Sequence, residues 1–357
     1  MKKLGIFLGD IQGNGGISRV TWILANKLNA YYDLHILSSI QSEDEKYRYA
    51  ENIKPEFLFQ EQKPVHTRFL QLTKGIRSFI NRNEIDILIC AGEIYYPSCV
   101  LAVKGTGTKL VCWEHSNVSV RTEHKFQGGC RWIGAKNADM VVPLTKADAR
   151  MYREKYRIKR CQAIYNPVDD RLLGDAVYRM DSEKVISVGR LCYQKNFELL
   201  VDVANIFLNH NPGWTWDIFG EGENRAAIQA KINAAGLQEK LVLRGRVPDL
   251  YDRYQEYAML VMTSRFEGFP MVLLESAAKG IPAVSFDVLT GPNEIILDGK
   301  TGFLVPPGDA AAMAEKMQRL AGHPQLRSEM SAQCLEIRKQ FSCQTIIENW
   351  RKMLDDL

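Results

Sequence analysis

The sequence predicts an α/β protein of two doubly wound domains, each a parallel sheet with helices on both faces. Short apolar, often β-branched runs alternate with segments of helical spacing from end to end, and the alternation restarts after Asn166-Pro-Val-Asp169. Length agrees, because 357 residues exceed one ordinary core and suit two.

In the first half, Leu4–Leu8, Leu34–Ser38, Ile85–Cys90, Lys109–Trp113 and Met140–Pro143 read as buried strands, being short and apolar. Ser18–Ala30, Phe69–Asn83 and Lys146–Lys155 carry helical spacing between them. In the second half the strands are Val185–Val188, Thr215–Phe219, Leu241–Leu243, Leu260–Met262, Pro282–Phe286 and Gly302–Val305. Their helices are Glu198–Asn209, Asn224–Ala235, Leu250–Glu256, Val272–Lys279 and Ala310–Ala321. These halves imply domains 1–167 and 168–342 facing across a cleft. The boundary lies near Tyr165 to Asp170, where Asn166-Pro167 forces an extended or turn conformation. The tail Cys343–Leu357 is apolar at Ile346, Ile347, Trp350 and Leu354, so it should form a helix that docks. The pattern alone does not name its domain; packing back on the first is the expectation. No internal repeat is visible.

Hydrophobic residues make up 46% and charged residues 25%, the profile of a soluble globular protein. A net charge of +4 is too small to argue for nucleic acid. The eight cysteines form no CxxC pair and no zinc spacing, and read as small buried hydrophobes of a reducing compartment. Asp10 interrupts the N-terminal apolar run with no cleavage site after it, and no segment has the roughly 18 apolar residues of a membrane span. A cytoplasmic protein is expected.

Chemistry concentrates in Arg265-Phe-Glu-Gly-Phe-Pro-Met-Val-Leu-Leu-Glu-Ser-Ala-Ala-Lys-Gly280. Pro270 suits the first position of a helix and Gly280 the position just past its end. Glu267 then lies in the loop before the helix and Glu275 about a turn inside it. The Gly268-Phe269-Pro270 loop, leading into Met271, presents backbone N–H groups at a helix N-terminus, a ready phosphate site. Two carboxylates beside a diphosphate need cations, and Arg190 and Lys195 follow the first strand of the second half.

The Glu267-(seven residues)-Glu275 spacing resembles that of retaining glycosyltransferases of the GT-B fold, which consists of two Rossmann-like domains, and glycosyltransferase family 4 above all. The resemblance extends to Gly13-Asn-Gly-Gly-Ile-Ser-Arg19, Trp113-Glu-His-Ser-Asn117, Asn166-Pro-Val-Asp169, Val188-Gly-Arg-Leu191 and Lys195-Asn196. It continues through Phe219-Gly-Glu-Gly-Glu223, Arg244-Gly-Arg-Val247, Gly291-Pro-Asn-Glu294 and Asp298-Gly-Lys-Thr-Gly-Phe-Leu-Val305. It implies that Arg190 and Lys195 hold a donor diphosphate, Glu267 binds the transferred sugar and Glu275 the ribose. Backbone around Arg246 and Val247 would meet the base, His115 the donor sugar, and Glu294 a position near that sugar. Gly15 and Gly16 would let the N-terminal loop approach the diphosphate. No metal or other cofactor is implied; the nucleotide sugar is a co-substrate, with UDP favoured by resemblance alone and GDP not excluded by any residue.

Blander readings stand beside these. Glutamates are favourable near any helix start, which suffices for Glu267, Glu275 and Glu294 taken singly. His115 could be structural, and Arg19 could be a helix-surface charge or an acceptor or phosphate ligand. The glycines from Gly13 and from Gly220 fail the dinucleotide fingerprint, with Ser18 and Arg225 at its sixth position. The basic stretches Lys63–Arg82 and Arg121–Lys136 read as ordinary domain surface or as interfacial helices drawn to an anionic membrane. The reaction expected is sugar transfer with retention to a saccharide or polyprenyl-diphosphate-linked saccharide acceptor in bacterial surface polysaccharide biosynthesis. A nucleotide-sugar 2-epimerase and a non-catalytic sugar-binding partner subunit are the rivals.

Overall fold

A computed structural model describes residues 1–13, 15–40, 46–61, 63–119, 125–174, 178–247 and 250–357. The chain divides into two compact units, one of Met1–Pro167 with Cys343–Leu357 and one of Val168–Ser342.

The first unit runs β1 (Lys3–Asp10), α1 (Gly16–Leu28), β2 (Asp33–Ile40), β3 (Glu56–Phe59), α2 (Phe69–Asn83), β4 (Ile87–Ala91) and α3 (Tyr96–Val103). β5 (Lys109–Glu114), α4 (Lys125–Asn137), β6 (Met140–Pro143) and α5 (Lys146–Tyr156) follow. Its six strands lie in the order β3-β2-β1-β4-β5-β6, every pairing parallel. The inner strands are buried on both faces, so their apolar residues run on without alternating: all of Ile87–Ala91 is buried. Edge strand β3, Glu-Phe-Leu-Phe, is only half-buried and too short to announce itself in the sequence.

The second unit runs β7 (Lys184–Val188), α6 (Phe197–His210), β8 (Thr215–Phe219), α7 (Arg225–Ala234), β9 (Leu241–Gly245), β10 (Met259–Met262) and α8 (Met271–Ala278). β11 (Ala283–Phe286), α9 (Pro292–Ile295), β12 (Gly302–Val305), α10 (Ala310–Gly322) and α11 (Pro324–Ile337) complete it. The strand order is β12-β11-β10-β7-β8-β9. Counted within its own unit, the first strand lies beside the fourth in both sheets, although the sequence shows no repeat. What repeats is the alternation of buried strand and amphipathic helix. Such an order opens a crevice where the chain reverses direction across the sheet, between β1 and β4 and again between β7 and β10.

Two local expectations change. Leu250–Glu256 does not form an α-helix; Tyr251–Glu256 is a 3₁₀ segment. Pro270 is the N-cap of α8, with ψ 98°, one residue before the helical position expected of it. All eight cysteines are free and buried. Among the described residues no helix is long and apolar enough to cross a membrane. The apolar stripe of α2, Leu72, Ile76, Phe79 and Ile80, is buried, while Lys74 and Arg77 face outward. Arg121 lies outside the described residues.

The tail helix α12 (Cys343–Asp355) belongs to the first unit. Ile346, Ile347, Trp350 and Leu354 are buried, and Trp350 meets Trp113 edge-on at 5.2 Å. Its far end is tied by the Tyr32 hydroxyl, which donates to Asp355 at 2.8 Å, and by the Lys2 ammonium, which donates to the Leu354 carbonyl at 3.1 Å. Replacing Trp350 with alanine should therefore cost about 3–5 kcal/mol in a urea unfolding titration; a loss below about 1 kcal/mol would show that this helix is not part of the core.

Candidate active site

In the second unit the site is built at the carboxyl ends of the strands. The loop after β7, Gly189–Asn196, lies against the loop after β8: the Gly189 N–H donates to the Phe219 carbonyl, and the Leu191 N–H to the Glu221 carbonyl, both at 2.9 Å. The approach leaves no room for side chains. A Cβ on Gly220 would stand 1.8 Å from the Gly189 carbonyl oxygen, and one on Gly222 2.3 Å from that of Leu191. Phe219-Gly-Glu-Gly-Glu223 is thus a loop-packing motif, which explains why it fails the dinucleotide fingerprint.

The loop after β10 closes on the same loop from the other side. The Arg265 N–H donates to the Gln194 carbonyl at 2.8 Å, the Gln194 amide to the Phe266 carbonyl at 3.1 Å, and the Arg265 guanidinium to the Tyr193 carbonyl at 2.7 Å while lying over the Tyr193 ring. Asn196 takes a left-handed conformation at φ 55° to start α6, and the Thr263 hydroxyl bonds to the carbonyls of Lys195 and Asn196 at 3.2 Å each. Held this way, Lys195 extends past Gly189 and its ammonium donates to Glu267 Oε1 at 2.6 Å. Lysine and glutamate side chains are only 18% and 6% exposed. The pair spans the reversal point between β7 and β10.

Glu275, inside α8, is buried and accepts from the Tyr254 hydroxyl at 2.8 Å. The loop after β11 packs on the Gly268–Pro270 turn: the Thr290 hydroxyl donates to the Glu267 carbonyl, and Gly291, at φ 98°, sits where a Cβ would meet Pro270 at 2.5 Å. Glu294 follows on α9, partly exposed. Arg190 is exposed; a hydrogen bond with the Cys192 thiol and the nearby Glu223 hold its guanidinium above its ordinary pKa. Arg246 and Val247 follow β9 directly. Phe269 is buried and Met271 opens α8.

The remaining candidates stand on the first unit. Gly15 caps α1 without a side-chain hydrogen bond, Gly16 is its first residue, and nothing lies within 4 Å of a Cβ built on either. Asp10, at the end of β1, accepts from the Gln12 N–H at 2.9 Å and shapes this turn. Arg19 is half-buried on α1. His115 directly follows β5, its ring 4.3 Å from that of Trp113; its Nε2 is buried without a hydrogen-bond partner among the described residues, and burial pushes the imidazole down to about 3. Also at the carboxyl edge of this sheet is a cavity of about 410 Å³ lined by Asp10, Ser39, Phe59, Arg68, Ile94 and Tyr95 among others.

Residues 14–172 match Glycosyltransferase Family 4 and residues 175–335 match Glycosyl transferases group 1. The chain belongs to this glycosyltransferase family. It is 27% identical over 366 residues to the amylovoran biosynthesis glycosyltransferase AmsD of Erwinia amylovora, covering 99% of this chain and 100% of that one. It is 25% identical over 366 residues to an α-1,4-N-acetyl-D-galactosaminyltransferase of Campylobacter jejuni named for an undecaprenol-PP-linked saccharide, covering 100% and 99%. Among solved structures, Anabaena HepE in complex with UDP and glucose superposes with TM-score 0.83 at 16% identity, covering 100% of both chains. The fold is GT-B, with two six-stranded parallel sheets.

In this glycosyltransferase, then, Arg190, Lys195, Glu267 and Glu294 sit on loops or near a helix start beyond the strands of one sheet and Glu275 inside α8, with Lys195 and Glu267 in direct contact. Sequence reasoning missed Tyr254, which lies in a segment read as an ordinary helix, and Thr290, one unremarkable hydroxyl before Gly291. Glu114, noted only as the neighbour of His115, heads a buried polar cluster that no local pattern announces. With its pKa pushed to about 3, His115 is neutral at physiological pH. In an NMR titration between pH 8 and pH 5 the ring nitrogen shifts of His115 should keep the values of a neutral imidazole, and conversion to the imidazolium with a midpoint above 5 would overturn this assignment; smaller shifts that report a neighbouring group are a separate matter.

Proposed function

We propose that this glycosyltransferase moves a sugar from a nucleoside diphosphate donor, UDP-linked, to a saccharide or lipid-linked saccharide hydroxyl in bacterial surface polysaccharide synthesis, with retention at the anomeric carbon. The observation that carries the reading is the Lys195–Glu267 pair at the reversal point of the sheet, beside the N-terminus of α8. A diphosphate there draws on Lys195, Arg190 and the helix N-terminus, while Glu267 turns to sugar hydroxyls and Glu275 to ribose. UDP and the lipid-linked acceptor are supported by what the similar HepE structure and the Campylobacter transferase bear in their names.

In the proposed step the anomeric C–O bond to the diphosphate breaks and the acceptor oxygen bonds to the same face of that carbon. The acceptor's proton passes to the departing phosphate oxygen. Arg190 and Lys195 stabilise the charge that develops there, so no metal is assigned to the step. On the first unit His115 is neutral, and among the described residues nothing lies within 4 Å of a Cβ built on Gly15 or Gly16 at the start of α1. The acceptor is assigned to the cavity beside Asp10, which is lined by Phe59 and Tyr95 and by the cations Lys63 and Arg68, the latter lying over the Phe59 ring. Peripheral contact with an anionic membrane is assigned to α4, which exposes Phe126 and Trp132 at 52% and 55%.

The test is a donor screen that follows UDP release with lipid-linked and free saccharide acceptors. Release must depend on acceptor; free sugar formed without one would favour the 2-epimerase. Lys195→Ala should stay folded and lose roughly 10²–10³ in kcat, whereas near-normal turnover would remove Lys195 from the site. Flotation with anionic vesicles checks the membrane contact: replacing Phe126 and Trp132 with serine should abolish co-flotation, and wild-type protein that stays unbound refutes it.

A further inference from the structure

Directly behind His115 the first unit buries an ionic assembly drawn from four elements. Glu114, the last residue of β5, is 1% exposed. Its Oε2 accepts from Arg131 Nε of α4 at 3.0 Å and from the Tyr152 hydroxyl of α5. Arg131, itself 2% exposed, turns Nη2 toward Glu93 Oε1 at 3.4 Å, in the turn after β4. One guanidinium therefore serves two buried carboxylates, and with both ionised the group carries a net negative charge in a dry interior, a costly arrangement. Packing alone would be served as well by apolar side chains of similar volume.

The remaining contact says what the assembly holds. Glu114 Oε1 accepts from the Ser116 N–H at 3.0 Å, so this carboxylate ties residue 114 to the backbone of residue 116 across His115. The imidazole lies tilted at 51° against Trp113, and among the described residues its buried Nε2 has no hydrogen-bond partner. Its placement thus depends on the Glu114–Ser116 backbone.

We propose that Glu114, held by Arg131 and Tyr152 and opposed by Glu93, is the positioning residue for His115, and that its protonation state sets the pH range over which the Glu114–Ser116 loop keeps its active geometry. This rests on the reading of His115 as part of the transferase site. Burial first, and Glu93 second, push the Glu114 carboxyl up to about 7, against the pull of Arg131 and Tyr152. Among the described residues, the other titratable groups facing the assembly are the hydroxyls of Tyr96, Tyr152 and Tyr156 and the thiols of Cys90, Cys112 and Cys130. Burial raises every one of these, so they stay neutral through that range. Ionised, Glu114 accepts from three donors. Protonated, it must turn one oxygen into a donor, which the Tyr152 hydroxyl can accept but the Ser116 N–H and Arg131 cannot. The gripping form is the carboxylate, and kcat should rise with pH through the midpoint.

Two conservative variants of the full-length enzyme test this, read by the pH profile of kcat and, with no substrate present, by the pH dependence of the His115 NMR signals. Tyr152→Phe removes a donor that favours the carboxylate, so both midpoints should move up. Glu93→Gln removes the opposing charge, so both should move down. Glu114→Gln should flatten the profile and lower kcat by up to about 100-fold, with the donor KM little changed. If the His115 signals show no midpoint, or one that neither Tyr152→Phe nor Glu93→Gln moves, the positioning role is overturned and the cluster is only structural. If those midpoints move in opposite directions while no donor and acceptor pair gives transfer, the role of Glu114 stands and the transferase reading fails.

Discussion

The second unit depends on the contact between Lys195 and Glu267. An ammonium 18% exposed and a carboxylate 6% exposed are both expensive to leave alone, so each needs the other at 2.6 Å. Neither could reach that distance if its loop were free. Thr263 fixes the carbonyls of Lys195 and Asn196, Thr290 fixes that of Glu267, and Gly189 lacks the Cβ that would crowd the lysine stem. The pair reports the positions of three loops over three strands. It also keeps the site free of unbalanced buried charge before a donor arrives. On the proposed reading, a diphosphate takes over the lysine and releases the carboxylate to sugar hydroxyls, exchanging one satisfied state for another.

That exchange requires the loops to hold their places, and glycine provides this by absence. At Gly220, Gly222 and Gly291 a Cβ would strike the backbone or ring of the neighbouring loop at 2.5 Å or less. Backbone hydrogen bonds at 2.9 Å then join Gly189 to Phe219 and Leu191 to Glu221. Gly15 and Gly16 differ, since none of the described residues stands within 4 Å of a Cβ on either. Glycines that pack one loop against another and glycines that leave space look alike in a sequence, and only coordinates separate them.

The same divide decides what was legible in the sequence. β4, β10 and β12 stand out because a buried parallel strand is a short continuous apolar run. β3 does not, being a half-exposed edge of four residues. α3 also escapes: it is buried at Tyr96, Ser98, Cys99 and Ala102 and has little polar face to show a period. Glu267, Glu275, Arg190 and Lys195 could be named because their spacing relative to a strand end and a helix start is local. Arg131 and Tyr152 reach Glu114 from 17 and 38 residues away, and that meeting is a property of the sheet order, not of any segment.

The two perturbed groups at the end of β5 act on stability in opposite directions. His115, lowered from 6.5 to about 3, binds fewer protons folded than unfolded, so its contribution is lost as pH falls below 6.5. Glu114, raised from 4.5 to about 7, binds more protons folded, so its contribution is lost as pH rises from 4.5 toward 7. Between 4.5 and 6.5 the two slopes oppose each other. Adjacent residues can therefore leave the melting temperature nearly flat over a pH range in which the loop between them changes its hydrogen bonding. On the proposed reading, a proton at Glu114 would alter the hydrogen bonding at Ser116 while leaving the stability of the unit nearly unchanged, the behaviour expected of a positioning residue rather than of one that only holds the fold.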